Sequence, residues 1–304
     1  MFQLFYKVFI FMFLGFVIQI IFKQNILKKI ISKTIDFNIY IFIPFFILLN
    51  LWIYSKALII QRPQVLNQLI IIVSVFTIAG IILSKIYSLI YKIPFNEISH
   101  TITFMNSLYL GLPVVQFFIG PGYSTFGIIA GVLLGVIQFT IGIRYFLGQK
   151  QILSNLIGFP SVFAMTMGLI FSFLEIKTPN EILFLSDVLK KIISPFMLVI
   201  VGYRLPIKTR IINGQIISSI LFRLIGGFLV GVLTSEIFGF EKDIYCFTVL
   251  ISSMPSAVNN YIIQEKFKIN PEFAAENVFW GTLLSVIFIP LVGLYLKFSG
   301  VLNN

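Results

Sequence analysis

The sequence predicts an all-α polytopic membrane protein: ten transmembrane helices built as a 5+5 inverted repeat, with helices 4 and 9 broken. Three observations predict it. Of 304 residues, 58% are hydrophobic and 11% charged, at a mean hydropathy of +1.01, whereas a soluble domain carries about 25% charged residues. Apolar runs of membrane-crossing length recur along the chain. The two halves also share short patterns, in the same order, about 150 residues apart.

The apolar runs cover residues 4–22, 36–55, 66–90, 98–119, 123–147, 153–174, 182–203, 213–236, 244–265 and 274–297. The first follows Lys7 and resembles a signal peptide. No small-residue cleavage site follows, so it is expected to remain as the first span. Every connection is short, which leaves no room between spans for a soluble domain. The loops after spans 1, 3, 5, 7 and 9 hold thirteen basic residues (among them Lys23, Lys28, Lys150, Arg204, Lys208 and Arg210), and the other face holds six. The positive-inside rule then puts the odd-numbered loops in the cytoplasm and both termini outside a plasma or inner membrane. The net charge of +11 is accounted for by those loops, and nucleic acid is not an expected partner. The lipid bilayer is.

Met12-Phe-Leu-Gly15 in span 1 matches Met165-Thr-Met-Gly168 in span 6. Pro44-Phe-Phe in span 2 matches Pro195-Phe-Met in span 7, and Pro113 in span 4 matches Pro255 in span 9. A repeat of five spans reverses its orientation, so residues 1–150 and 151–304 are expected to be inverted copies within one membrane unit.

Spans 4 and 9 differ from the rest. Pro113 lacks the N–H that would satisfy the Tyr109 carbonyl, and Pro255 fails the Ile251 carbonyl likewise. Polar residues crowd both sites: Asn106, Ser107 and Gly111 in one, Ser253, Ser256, Asn259 and Asn260 in the other. An orphan carbonyl in hydrocarbon costs several kcal/mol unless protein or a watery cavity satisfies it. Paired interrupted helices are a sequence pointer to a transport site. Unwinding at the prolines would aim two half-helix N-termini at the midplane, and helix N-termini attract anions. The asparagine amides add donors and acceptors. Pro44, Pro160 and Pro195, without polar company, read as simple kinks.

Arg223 is the charge nearest the centre of any span. Its two readings are a countercharge for an anionic substrate and a structural clamp on carbonyls near Gly226 and Gly227. Asp187, Lys190 and Lys191 are expected to form an interfacial cluster toward the outer end of span 7, and His100 is expected at the interface. One histidine and one cysteine, Cys246, leave no metal cluster and no internal disulfide. Paired carboxylates and a Ser/His arrangement are missing too, so neither a catalytic residue nor a cofactor is expected. Near the breaks the only acids are Glu97 and Glu265, which argues against cation exchange and supplies no obvious proton carrier.

At these residues the chain resembles the auxin efflux carrier family, in particular its bacterial permeases. Asn106-Ser-Leu-Tyr-Leu-Gly111-Leu-Pro113 is similar to the family's helix 4 segment, and Met254-Pro255-Ser256-Ala257-Val258-Asn259 to its helix 9 segment. Thr282-Leu-Leu-Ser285 before Ile289-Pro290 resembles helix 10. Pro44, Pro195 and Gly202-Tyr-Arg-Leu205 fit helices 2 and 7. The resemblance implies that helices 4 and 9 cross at their prolines, with Asn106, Pro113, Pro255 and Asn259 at the crossing. It implies a scaffold of helices 1, 2, 6 and 7, elevator-type movement, and organic-anion substrates such as auxin, malate or malonate. Proton coupling and a homodimer are compatible with it, as is a non-transporting sensor or regulatory subunit on the same fold. The chain departs from the family in lacking the long central loop of the plant carriers, and in placing Gly226-Gly227 where a proline often follows the helix 8 basic residue.

Overall fold

A computed structural model describes residues 2–21, 29, 33, 37–146, 148, 160–203, 205 and 213–302. The expected cytoplasmic charges at Lys23, Lys28, Lys150, Arg204, Lys208 and Arg210, and the first residues of span 6, lie outside the described residues. Within them the chain is helical and forms no strand; one isolated bridge joins Met105 and Ser256. The helices are α1 (Phe2–Ile21), α2 (Ile43–Gln61), α3 (Val65–Tyr91), α4 (Phe95–Thr103), α5 (Leu112–Ile119), α6 (Ser124–Ile137), α7 (Pro160–Phe173), α8 (Asn180–Tyr203), α9 (Gly214–Ile237), α10 (Lys242–Ser252), α11 (Val258–Phe267) and α12 (Pro271–Phe298). Wide π turns precede α2 (Asn38–Phe42) and α5 (Ser107–Gly111), and another, Gln138–Phe146, extends α6.

Among the described residues, five helical stretches are long and apolar enough to cross a membrane: Tyr40–Gln61, Val65–Tyr91, Ser124–Phe146, Gly214–Ile237 and Pro271–Phe298. Their ends follow local chemistry. Asn213 caps α9 by accepting from the Ile216 amide at 2.9 Å. Asn270 caps α12 through the Phe273 amide at 3.2 Å, with Pro271 in the first turn, where its missing N–H costs nothing. Lys92 ends α3 in the left-handed region. Large apolar side chains such as Ile70, Ile78, Ile82, Leu229 and Leu233 stay exposed on the flanks of α3 and α9. A multi-pass membrane protein turns such a surface toward lipid.

Two groups of helices stand out. In one, α1 packs along α8, α2 along α7, and α2 also meets α8. Backbones touch at these crossings: a Cβ on Gly15 would lie 2.0 Å from the Val199 carbonyl, and one on Gly168 would lie 2.7 Å from that of Leu48. Trp52 donates to the Ile176 carbonyl at 2.9 Å, and Lys56 pairs with Glu175 at the surface end of α2. In the other group α3 packs on α4, α9 on α10, α3 on α9, and α11 on α12. The main core, including Phe46, Ile72, Leu110, Phe126, Phe247 and Ile251, fills the space between.

Pro44 falls in the first turn of α2 and Pro195 inside α8. Asp187 and Lys191 are exposed, and the side chain of Lys190 lies outside the described residues. His100 corrects the expectation of an interfacial side chain. It is fully buried, tilted against Phe104 and edge-on to Phe146, because α4 turns that face inward against the π turn of Gln138–Phe146.

Candidate functional site

Spans 4 and 9 are both interrupted, and the interruptions meet. After Thr103 the backbone leaves the helix. Phe104 is extended (φ −102°, ψ 111°), and helical geometry resumes only at Ser107. After Ser252 the second segment does the same until Val258. The extended stretches run antiparallel past each other. The Asn106 amide donates to the Pro255 carbonyl at 2.8 Å, and the Ala257 amide donates to the Phe104 carbonyl at 3.1 Å. Each break thus satisfies backbone groups that the other exposes, which removes the cost of leaving them orphaned in hydrocarbon.

The second break lies at Pro255, as the sequence suggests. The first does not lie at Pro113. That proline sits in the first turn of α5, and the helix passes through it. The π turn behind it, in which the Gly111 amide donates to the Asn106 carbonyl at 2.9 Å, is wide enough to take the ring. The chain unwinds about two turns earlier, where Phe104–Asn106 finds its partner strand.

Side chains lock the crossing. The Asn260 amide nitrogen donates to the Phe104 carbonyl at 2.8 Å and to the Ser256 hydroxyl at 2.9 Å. Its oxygen accepts from the Gln138 amide at 2.6 Å. Asn260 is fully buried. Beside it a cleft of about 30 Å³ is lined by Phe104 through Tyr109, by Gly131, Leu134, Gly135 and Gln138 of the α6 wall, and by Ala257 and Asn259. That volume exceeds the roughly 10–15 Å³ that a cavity needs to hold a water. Both half-helices begin on this cleft. The amides of Leu108 on one side and of Val258 and Asn259 on the other precede the first backbone bonds of their half-helices, from Gly111 to Asn106 and from Asn260 to Ala257. Asn106 is buried at the same place, and its side-chain nitrogen has no hydrogen-bond partner.

The expected site residues therefore divide. Asn106, Ser107 and Asn259 line the cleft. Ser256, Pro255 and Asn260 form the crossing itself. Ser253 is buried and returns its hydroxyl to the Val249 carbonyl at 2.6 Å. Gly111 packs against Ile251 and Met254: a Cβ there would lie 2.8 Å from the Ile251 side chain. Pro113 is buried farther along the half-helix.

Arg223 does not line the cleft. It borders a separate crevice of about 10 Å³ with Gly80, Met105, Gly227 and Ser252. Its guanidinium donates to the carbonyls of Ile102 at 2.8 Å, Thr103 at 3.4 Å and Ser252 at 2.5 Å. Of the two readings of this residue, the geometry has the carbonyl clamp.

Gln138 is a cleft residue that sequence reasoning passed over. Its signal was there: a lone amide in the apolar run IIAGVLLGVIQF, at the point where α6 widens into a π turn. Glu276, buried on α12, was likewise missed. Among the described residues no group of three His, Cys, Asp or Glu side chains gathers as a metal site.

No curated protein matches the chain. The family model described as membrane transport protein matches residues 144–292, a stretch that holds Arg223, the second break and most of α12. With its apolar helices and its broken pair, the chain belongs to that family, the auxin efflux carriers, and is a multi-pass membrane transport protein.

Proposed function

We propose that the protein is a secondary transporter that binds an organic anion, a carboxylate, in the cleft where the two half-helices begin. The observation that carries this reading is the unpartnered Asn106 side-chain nitrogen, buried beside two helix N-termini. Each helix start contributes roughly +0.5 elementary charge. Asn106 and Asn259 supply donors, and the cleft wall holds no acidic side chain. A carboxylate is an acceptor-only group with a full negative charge, and it complements that set.

The 5+5 inverted repeat is part of this proposal, and the contacts support it. The pairs α1·α8 and α2·α7 exchange under the repeat, as do α3·α4 and α9·α10. The match extends to atoms. Gly15 faces the Val199 carbonyl and Gly168 faces that of Leu48, while Gly15 aligns with Gly168 and Leu48 with Val199. The mutual packing of α1 with α8 and of α2 with α7 and α8 favours an elevator-type displacement of the crossing past a scaffold. The Lys/Arg bias favours both termini outside a cell membrane.

The test is uptake by reconstituted vesicles of a panel of mono- and dicarboxylates, with and without a proton gradient. Asn106→Ala or Asn259→Ala is expected to abolish flux while protein remains in the membrane. Unchanged flux in both variants would remove the proposed site. Absence of carboxylate flux in the unaltered protein would favour a non-transporting role.

A further inference from the structure

We infer that Arg223 is a built-in cation for the crossing, standing where transporters with broken helices place a dissociable coupling ion. Unwound carbonyls and half-helix C-terminal ends form the sodium or proton sites of such proteins. Here those groups are already engaged. The carbonyls of Ile102 and Thr103 end α4, and the carbonyl of Ser252 ends α10. All three accept from one guanidinium, at 2.8, 3.4 and 2.5 Å. Each helix end carries roughly −0.5 elementary charge, so two ends match one guanidinium.

Three further observations support this assignment. Arg223 is 3% exposed, and its guanidinium donates to backbone carbonyls. A buried cation needs compensation, and the two helix ends supply it without a carboxylate. The backbone also makes room for it. A Cβ on Gly227 would lie 2.1 Å from an Arg223 terminal nitrogen and 2.0 Å from the Ser252 carbonyl, so no larger residue fits there. One turn on, a Cβ on Gly231 would meet the Ser252 hydroxyl at 2.1 Å, so α9 lies close enough to α10 for the guanidinium to reach both ends. Finally, a guanidinium stays charged across the physiological range and cannot dissociate from the chain. The crossing is therefore held by a permanent charge and requires no bound sodium. Arg223 is a positioning residue, acting through the two half-helices.

The test is thermal unfolding of the purified protein in sodium chloride and in choline chloride at equal ionic strength. Guanidinium is added at low millimolar concentration against a urea control. The unaltered protein should unfold at the same temperature in sodium and in choline. Arg223→Ala should unfold earlier, and sodium or guanidinium, but not choline or urea, should raise its midpoint with saturation. Arg223→Lys should lose less than Arg223→Gln, and this pair decides the matter if the alanine variant does not accumulate. A saturable sodium effect on the unaltered protein would overturn the inference. So would an alanine variant as stable as the parent or indifferent to cations, or a lysine variant no better than glutamine.

For transport, the inference rests on the anion reading and predicts flux that is unchanged when choline replaces sodium. A sodium requirement would overturn it and leave that reading standing. Absence of any carboxylate flux would overturn that reading and leave the thermal result untouched.

Discussion

Asn106 and Asn260 flank the same crossing, yet their alanine variants should fail in opposite ways. Asn260 makes three side-chain hydrogen bonds, to the Phe104 carbonyl, to the Ser256 hydroxyl and from the Gln138 amide. At about 0.6 kcal/mol per side-chain bond in a membrane interior, Asn260→Ala should cost about 2 kcal/mol. The loss grows if the Gln138 amide is left buried without a partner. The side-chain nitrogen of Asn106 bonds to nothing, and its crossing contact to Pro255 runs through the backbone, which alanine keeps. Asn106→Ala should therefore change stability by less than about 1 kcal/mol while removing the donor aimed at the anion. The assay pairs unfolding in detergent with carboxylate uptake by vesicles. Early unfolding of the Asn260 variant, with a stable but silent Asn106 variant, is the expected outcome. An Asn106 variant that unfolds as early as the Asn260 variant, or that transports normally, would refute the reasoning.

Other expectations follow from the packing and the surface. Gly227→Ala should destabilise by about 1–3 kcal/mol, since its Cβ meets the Ser252 carbonyl at 2.0 Å. Gly226→Ala should be milder because its Cβ meets a movable Leu83 methyl at 2.9 Å; equal unfolding midpoints for the two would contradict the clamp geometry. The Lys56 ammonium beside Glu175 holds that carboxyl below its usual range. A depressed folded pKa contributes stability that is present above the unfolded value of about 4.3 and is lost as pH falls through the folded value. Glu175→Gln should remove that part of the acid-side slope from the unfolding midpoint against pH, and an unaltered slope would show that the pair adds nothing.

How much of this was legible in the sequence depends on what each feature needs. The helical class and the five membrane-length stretches were, because hydropathy and length alone mark such a span. The break at Pro255 was also readable, since it sits among serines and asparagines. Pro113 misled for a physical reason. The π turn of Ser107–Gly111 takes up its ring, and the break moves to Phe104–Asn106, where a partner strand is available. That partner comes from the other half of the chain, so no local pattern marks the place. Arg223 was visible as a buried charge, but its partners are three backbone carbonyls, and carbonyls leave no trace in composition. His100 was misplaced because its burial depends on the face that α4 turns toward Phe146. The polar residues around the two breaks stood out in the sequence. Their division into cleft and crossing required coordinates.

Two membrane segments unwind and pass each other backbone to backbone. Met105 and Ser256 face one another there, as a non-hydrogen-bonded antiparallel pair with Cα atoms about 4.5 Å apart, within disulfide reach. Cys246 is the chain's one cysteine, so Met105→Cys with Ser256→Cys on a Cys246→Ala background isolates the pair. Oxidation by a membrane-permeant catalyst should join the two rapidly. Failure to cross-link, with ready cross-linking of Pro113→Cys to Pro255→Cys instead, would contradict the crossing as described.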